Sequence, residues 1–482
     1  MERPLVLIHG YSAGGADLQT LKQKLAPNDI DAKDINICNY VSLNNEITIQ
    51  DIAEGLDRAL RKHEVLGNET QEFDAIVHST GMLVLRAWLA NAGPPPSNPR
   101  LKRLKHLIGL APATWGSPQA HKGRTWLGAM VKGNRDPGPD FLNAGDLILE
   151  GLELGSNFTW DLAHRDLLGA APFYDNGPNT PFVAVFIGNA PYDGLPSVAN
   201  DPGTDGTVRW SGCSLNTRKI IIDLTRLPPA DGARVTITPW ASSRLDIPMI
   251  PVQDRNHGSL IANPEPAMVG LIGDFLKVGD RGAETYDAWL ARARQYGEAA
   301  LPAMKINPGA DAAGLEGAVR KYFAHIFGFG TPMEGWQQFV VHARDEHGDA
   351  IQDYMIEILV QQPDGTWVLF EEMYTDVHAY GPDPSFRCFH LRLPQGVSAG
   401  QVKLRARIHA STGTQLVAYQ GYGSQSPPAG PTAEPIELDL DDLGKGNGTL
   451  FCPFTTTLLE IILNREPTPL DAVSRLLTFL ES

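Results

Sequence analysis

The chain reads as an α/β protein followed by an antiparallel β domain. Three observations predict this. Apolar runs such as Leu5–Ile8 and Phe182–Ile187 are continuous, and Phe73–Val77 is apolar but for Asp74, as in parallel strands buried on both faces. Between them lie stretches with apolar residues at helical spacing, for example Ile49, Ile52, Leu56 and Leu60. From Trp336 onward the period switches to two: Phe339, Val341 and Ala343 alternate with their neighbours, as do Tyr354, Ile356, Ile358 and Val360. With 482 residues the chain is too long for one core, so two or three domains are expected. The expected boundaries are residues 1–280 for the α/β part, with a lid-like insertion at 111–180. A helical linker follows at 281–330, then an antiparallel β-sandwich-like domain with a terminal helix at 331–482.

Composition narrows the function classes. The chain is 42% hydrophobic and 20% charged, ordinary for a globular protein, and its net charge is −16. So acidic a surface repels phosphate backbones, which argues against nucleic-acid binding and against a polybasic membrane-docking face. No apolar run is long enough to span a bilayer. The first residues lead into the strand-like run Leu5–Ile8 with no basic leader and apolar signal core, so the cytoplasm is the expected location, with secretion by another route as the alternative. Cys38, Cys213, Cys388 and Cys452 are scattered without a CxxC pair, so free thiols are expected, and neither a disulfide frame nor a metal site.

Each element can be justified in turn. The first strand ends in His9-Gly10-Tyr11-Ser12-Ala13-Gly14-Gly15, and a helix with Leu18, Leu21 and Leu25 follows. The turn matches neither G-x-G-x-x-G nor a P-loop, so no nucleotide or other cofactor is expected. Residues Ile35–Val41 read as the second strand. Thr48 and Asp51 stand at capping-box spacing, ahead of the helix through Ile49, Ile52, Leu56 and Leu60. Phe73–Val77 is a third strand, broken abruptly at His78-Ser79-Thr80-Gly81 before a helix to Ala90. Lys105–Leu110 is the fourth strand and Pro181–Gly188 the fifth. Arg218–Asp223 and Ala233–Thr238 also look like strands of this part. The helix Pro266–Val278 closes it.

A serine on a strand-to-helix turn is held out at a sheet edge, with the following N–H groups pointing the same way. This is the setting of the G-x-S-x-G turn, although Val77 stands where its first glycine would be. Ser79 needs a base to take its proton, and the base needs a carboxylate to fix its tautomer. On such a sheet the chain order is Ser, Asp or Glu, then His. His257 lies in a loop after the last strand-like run, whereas His106 opens a strand and His121 and His164 fall in the insertion. Asp205 follows the fifth strand in an Asp-Gly-Thr-Val turn, with Asp201 and Asp254 as competitors. Ser79, Asp205 and His257 are therefore the candidate catalytic set. The N–H of Thr80 and one N–H from Tyr11 or Ser12, Tyr11 preferred, are the candidate oxyanion donors. Ser12, Trp115 and Met82 are expected to meet the substrate. His9 and His78 are expected to brace the turns on which they lie.

The set Val6–Gly10, Val77–Gly81, Asp205–Val208 and Asn256–Gly258 resembles the α/β-hydrolase lipases and esterases. The branch with enzymes like lecithin–cholesterol acyltransferase and the GPI inositol-deacylases is nearest, and Leu154–Leu162 is similar to a segment these enzymes carry. The resemblance covers about residues 1–280 and implies a serine enzyme acting on carboxylic esters. Val77 and Met82 depart from the family pattern without removing a catalytic group.

The second part carries no catalytic cluster. Val402, Leu404, Ala406 and Ile408 alternate with charged residues, and turns fall at Glu346–Asp349 and Pro363–Gly365. Thr455–Leu463 reads as a last strand and Asp471–Leu480 as a terminal helix. The expected partner is a lipid or other small ester substrate, with self-association through the second domain as a further expectation. Three functions follow in order: an ester hydrolase, an acyltransferase using the same three residues, and a binding protein acting through the β domain.

Overall fold

A computed structural model of the chain describes residues 3–10, 15–27, 35–38, 40, 44–68, 71–122, 145–177, 179–192, 200–225, 235–236, 246–306, 333–414, 416–421, 435–440, 450–467 and 476. Two compact units emerge. The first comprises Met1–Thr217, Trp240–Gly330 and Phe454–Thr456, and the second Arg218–Pro239, Thr331–Pro453 and Thr457–Ser482.

The first unit is built on a six-stranded sheet. Its strands are β1 (Leu5–Ile8), β2 (Ile35–Cys38), β3 (Phe73–His78), β4 (Leu104–Leu110), β5 (Phe182–Gly188) and β8 (Met249–Val252), in the order β2-β1-β3-β4-β5-β8. Every neighbouring pair is parallel. β1 and β3 are buried along their whole length, which explains why Leu5–Ile8 reads as an unbroken apolar run; in β3 the buried Asp74 is paired with Arg3 and His106. All carboxyl ends of a parallel sheet lie on one edge, so the loops after β3, β5 and β8 converge there.

Three helices start early in the chain: α1 (Gly15–Leu25), α2 (Ile49–Lys62) and α3 (Gly81–Asn91). In α2 the Thr48 hydroxyl accepts from Asp51 N–H at 3.1 Å, while Asp51 Oδ2 accepts from Thr48 N–H at 2.9 Å. Its buried residues Ile49, Ile52, Ala53, Leu56 and Leu60 form one face. In α3, by contrast, every residue from Gly81 to Ala90 is buried, so it is a core helix rather than an amphipathic one. Each large apolar side chain it buries contributes about 1.5–3 kcal/mol. The helix Tyr286–Glu298 also belongs to this unit, and Trp289 Nε1 donates to Leu271 O on the helix Pro266–Phe275 at 2.9 Å.

The second unit holds two further sheets. One runs β11 (Trp367–Leu369), β10 (Asp353–Gln361), β14 (Leu404–Ser411), β16 (Ile436–Asp439). The other contains β12 (Tyr374–Ala379), β13 (Phe386–Pro394), β9 (Met333–Asp345), β17 (Thr455–Pro467), β6 (Thr217–Asp223) and β7 (Val235–Thr236), with β15 (Val417–Gln420) paired to β17. Antiparallel pairing joins β10 to β14 and β9 to β13. Side chains from both sheets share one core, among them Phe339, Val341, Ile358, Phe389, Ala406 and Ile461. The period-two pattern is the trace of that arrangement.

The units do not divide at residue 280. Arg218–Pro239, expected in the α/β sheet, belongs to the second unit, where Ile220 and Ile222 enter the antiparallel core. Periodicity marks such a short apolar run as a strand but does not say which sheet it joins. Residues 123–144 of the expected insertion, 307–330 of the expected linker, and the expected terminal helix apart from Leu476 lie outside the described residues.

Candidate active site

Ser79 follows β3 directly, with φ 54. A non-glycine residue in the left-handed region costs roughly 1–2 kcal/mol, and the surroundings hold it there. Ser79 N–H donates to Leu110 O at 3.2 Å, and its carbonyl accepts from Met82 and Ala113 at 3.2 and 3.0 Å. All of its backbone groups are thus committed, while Oγ has no hydrogen-bond partner among the described residues. The turn is closely packed. A Cβ at Gly10 would sit 2.6 Å from Ser79 Cβ, and one at Gly81 would sit 2.8 Å from Ile8 O. Those two positions must be glycine for β1 and α3 to close on the serine.

Val77 has a local compensation. It pairs in register with Gly109 of β4, so both positions face the same side of the sheet. A Cβ at Gly109 would meet Met82 Cε at 2.9 Å. The bulk added at Val77 is offset by the side chain missing at Gly109, whose place the Met82 methyl takes. Met82, expected to face substrate, is fully buried in this sheet–helix core. Trp115 is fully buried as well, and its Nε1 donates to Ser214 O at 3.1 Å. Both side chains are packed inward, Met82 beneath the turn and Trp115 at the exit of β4. Tyr11 and Ser12 lie outside the described residues.

Asp205 and His257 come together from the loops after β5 and β8. His257 Nδ1 donates to Asp205 Oδ2 at 3.0 Å, and His257 N–H donates to Asp205 O at 3.0 Å. Asp205 Oδ1 accepts from Thr207 N–H and Val208 N–H at 3.1 and 2.9 Å. The carboxylate is fully buried and its hydrogen bonds are filled by the loop itself, as a buried charge requires. With Nδ1 engaged, His257 keeps Nε2 free of any partner among the described residues. The competing Asp254 accepts instead from Gln253 Nε2 at 2.7 Å.

Several residues that support these loops are not evident from the motifs. A Cβ at Gly188 would lie 2.0 Å from Arg255 O, so β5 must end in glycine for the His257 loop to cross it. Gly206, at φ +96, packs against the Tyr192 ring. Burial, reinforced by the Asp205 charge, pushes the Tyr192 hydroxyl up to about 12, so it stays protonated beside Thr207 Oγ1 at 3.2 Å. Ser117 Oγ donates to Thr207 O at 2.6 Å, and Thr114 Oγ1 donates to Cys213 O at 2.8 Å. Thr114 in turn is gripped through its carbonyl by Arg86 of α3 at 2.7 Å. Arg86 and Asp166 are both fully buried and paired in fork geometry at 2.8 and 2.9 Å, with Tyr174 donating to the same carboxylate at 2.8 Å. The one signal for this network in the sequence is a single charge, Arg86, in an otherwise apolar helix.

Three other histidines are occupied. His106 bridges Asp74 Oδ1 at 2.7 Å and Val278 O at 2.9 Å. His9 accepts from Tyr40 N–H at 3.2 Å and stacks on the Tyr40 ring. His78 contacts the carbonyl of His257 through Nε2 at 3.1 Å. Thr80 N–H, next after Ser79, has no partner among the described residues, so it can receive a developing negative charge. Among the described residues there is no group of histidine, cysteine or carboxylate side chains suited to hold a metal.

No family model matches the chain, and no curated protein matches it by sequence. Among solved structures it is similar to phospholipase PlaB from Legionella pneumophila in complex with thio-NAD, at TM-score 0.69 and 19% identity, over 96% of this chain and 94% of that one. It is similar also to a second structure of phospholipase PlaB from Legionella pneumophila, at TM-score 0.68 and 19% identity, over 96% of this chain and 94% of that one. At this identity the likeness is one of fold, and it extends through both the parallel and the antiparallel sheets.

Proposed function

We propose that this protein is a serine hydrolase of carboxylic esters, acting on lipid or other acyl esters, with Ser79 as nucleophile, His257 as general base and Asp205 as its orienting acid. The observation that carries this is the buried Asp205–His257 hydrogen bond of 3.0 Å, formed at the sheet edge where Ser79 is held at positive φ. Asp205 fixes the tautomer in which His257 Nε2 is bare and can accept a proton. Ser79 Oγ bonds to the ester carbonyl carbon as Nε2 takes its proton. The carbonyl oxygen becomes an oxyanion, to which Thr80 N–H and the Tyr11 N–H donate. The tetrahedral centre collapses, the carbon–alkoxy bond breaks, and the alcohol leaves with the proton from His257 Nε2. Water then attacks the acyl-enzyme, giving its proton to His257, and the acid departs as the proton returns to Ser79 Oγ.

Support comes also from the fold shared with a phospholipase and from the motif resemblance to the acyltransferase and inositol-deacylase branch, both of which fit a lipid ester. The test is an initial-rate assay on p-nitrophenyl esters. The wild type turns them over, and His257→Gln and Ser79→Ala each lose roughly 10⁴-fold or more in kcat. A wild type that hydrolyses no ester in the series, or a Ser79→Ala enzyme at full rate, overturns the proposal.

A further inference from the structure

Asn189 stands directly after β5 and is buried, at 3% exposure. Its side-chain oxygen accepts from Asp254 N–H at 2.8 Å. Its amide nitrogen donates to Gln253 Oε1 at 2.9 Å and to Ala300 O at 3.1 Å, which uses both of its N–H groups. The amide cannot be turned over, because a backbone N–H needs the oxygen and a backbone carbonyl needs an N–H. One side chain thus joins three parts of the first unit. These are the end of β5, the loop that carries His257, and the turn between the helices Tyr286–Glu298 and Leu301–Ile306.

A buried asparagine often does no more than satisfy its own amide. Two features here go further. Asp254, three residues before His257, is at φ 54, a left-handed backbone that strains any residue but glycine, and the Asn189 oxygen holds the N–H of that strained residue. The flanking backbone is tied to the same strand end: Asn189 N–H donates to Val252 O at 3.2 Å, and Ala190 N–H to Arg255 O at 2.9 Å. Second, the helix Tyr286–Glu298 is seated on β8 itself. A Cβ at Gly297 would lie 2.9 Å from Pro251 Cδ, so the helix approaches the strand as closely as a missing side chain allows. Ala300 N–H donates to Gly297 O at 3.1 Å, which fixes the turn whose carbonyl Asn189 grips.

We infer that Asn189 is a positioning residue for the proposed base: it holds the His257 loop in its left-handed turn and registers that turn against the helix pair 286–306. The kinetic consequence rests on the proposed Ser79 mechanism. Proton transfer needs His257 Nε2 within hydrogen-bond reach of Ser79 Oγ, whereas binding of the ester does not. A loosened loop therefore lowers kcat and leaves KM. The helix pair, read from the sequence as the start of a linker, becomes part of what places the imidazole.

Two variants release the loop from opposite sides. Asn189→Ala removes its three side-chain bonds, and Gly297→Val leaves Asn189 intact but wedges the helix off Pro251. Leu60→Ala, a cavity-forming change at a buried position of α2, is the control for lost stability alone. Each full-length protein is assayed for kcat and KM on one p-nitrophenyl ester, for its rate of labelling by an alkyl fluorophosphonate, and for amide hydrogen exchange in the peptide 249–258. Asn189→Ala and Gly297→Val are each expected to lose about tenfold or more in kcat and in labelling rate, with KM within about twofold of wild type. Exchange in that peptide is expected to rise about tenfold or more, and Leu60→Ala to show neither change. Wild-type kcat in Asn189→Ala, or unchanged exchange in its loop, overturns the inference. Wild-type values in Gly297→Val overturn the part assigned to the helix pair, and that variant decides the matter if Asn189→Ala does not fold. If the wild type hydrolyses no ester and takes no label, the Ser79 mechanism fails instead, and exchange alone decides whether Asn189 holds the loop.

Discussion

The imidazole of His78 lies against His257, with ring centroids 4.7 Å apart and Nε2 donating to the His257 carbonyl at 3.1 Å. A ring nitrogen facing a carbonyl must carry the proton, so Nδ1 of His78 is the bare nitrogen, and it has no partner among the described residues. The residue before the proposed nucleophile thus anchors the loop of the proposed base. Replacing His78 by Leu leaves the His257 carbonyl buried without its donor. The expected result is a kcat lowered about tenfold at nearly constant KM, with His78→Gln recovering most of it through its amide N–H. Steady-state kinetics on one ester decides this, and a His78→Leu enzyme with wild-type kcat removes His78 from the positioning of His257.

The same contact sets a pH dependence. Burial first, and then the neighbouring His257 charge, hold His78 down at about 3, against the opposing effect of its bond to the His257 carbonyl. His9 lowers it further. In the unfolded chain a histidine titrates near 6.5. Above that pH neither state binds the proton, and the stability is fully present. As pH falls from about 6.5 to about 3, the unfolded chain takes up a proton that the folded one refuses, so stability drops by up to about 1.4 kcal/mol per pH unit from this group. Urea denaturation at pH 7 and pH 5 should show a smaller loss in His78→Gln than in the wild type.

Buried pairing makes a separate prediction for Arg86 and Asp166. Arg86→Met strands a fully buried carboxylate, and a loss of about 3–5 kcal/mol is expected. The double variant Arg86→Met/Asp166→Leu removes both charges and should recover a large part of that loss. Chemical denaturation of the three proteins gives the comparison. If the double variant is as unstable as the single one, the cost lies in the hydrogen bonds to Thr114 and Tyr174 rather than in the stranded charge.

Much of this was legible in the residues, for identifiable reasons. β1 is buried on both faces and so reads as an unbroken apolar run, β3 is interrupted before its end only by Asp74, and the break at Ser79 is abrupt because the turn is sharp. Asp205 and His257, read separately from loop position and chain order, stand 3.0 Å apart. What stayed hidden depends on partners far along the chain. Ile220 and Ile222 form a strand by their own chemistry, but they join a sheet whose long strands β9, β13 and β17 begin more than a hundred residues further on. The inward packing of Met82 against Gly109 and of Trp115 against Ser214 likewise depends on partners that spacing does not show. Gly188 gives no signal of its own until Arg255 is seen to cross it.

The central claim is that Ser79 is the nucleophile, and covalent labelling tests it most directly. The full chain is treated with an alkyl fluorophosphonate, and its intact mass and tryptic peptides are measured. The expected result is a single adduct on the wild type, located at Ser79, and none on Ser79→Ala. An unlabelled wild type, or an adduct of equal yield on Ser79→Ala, contradicts the account.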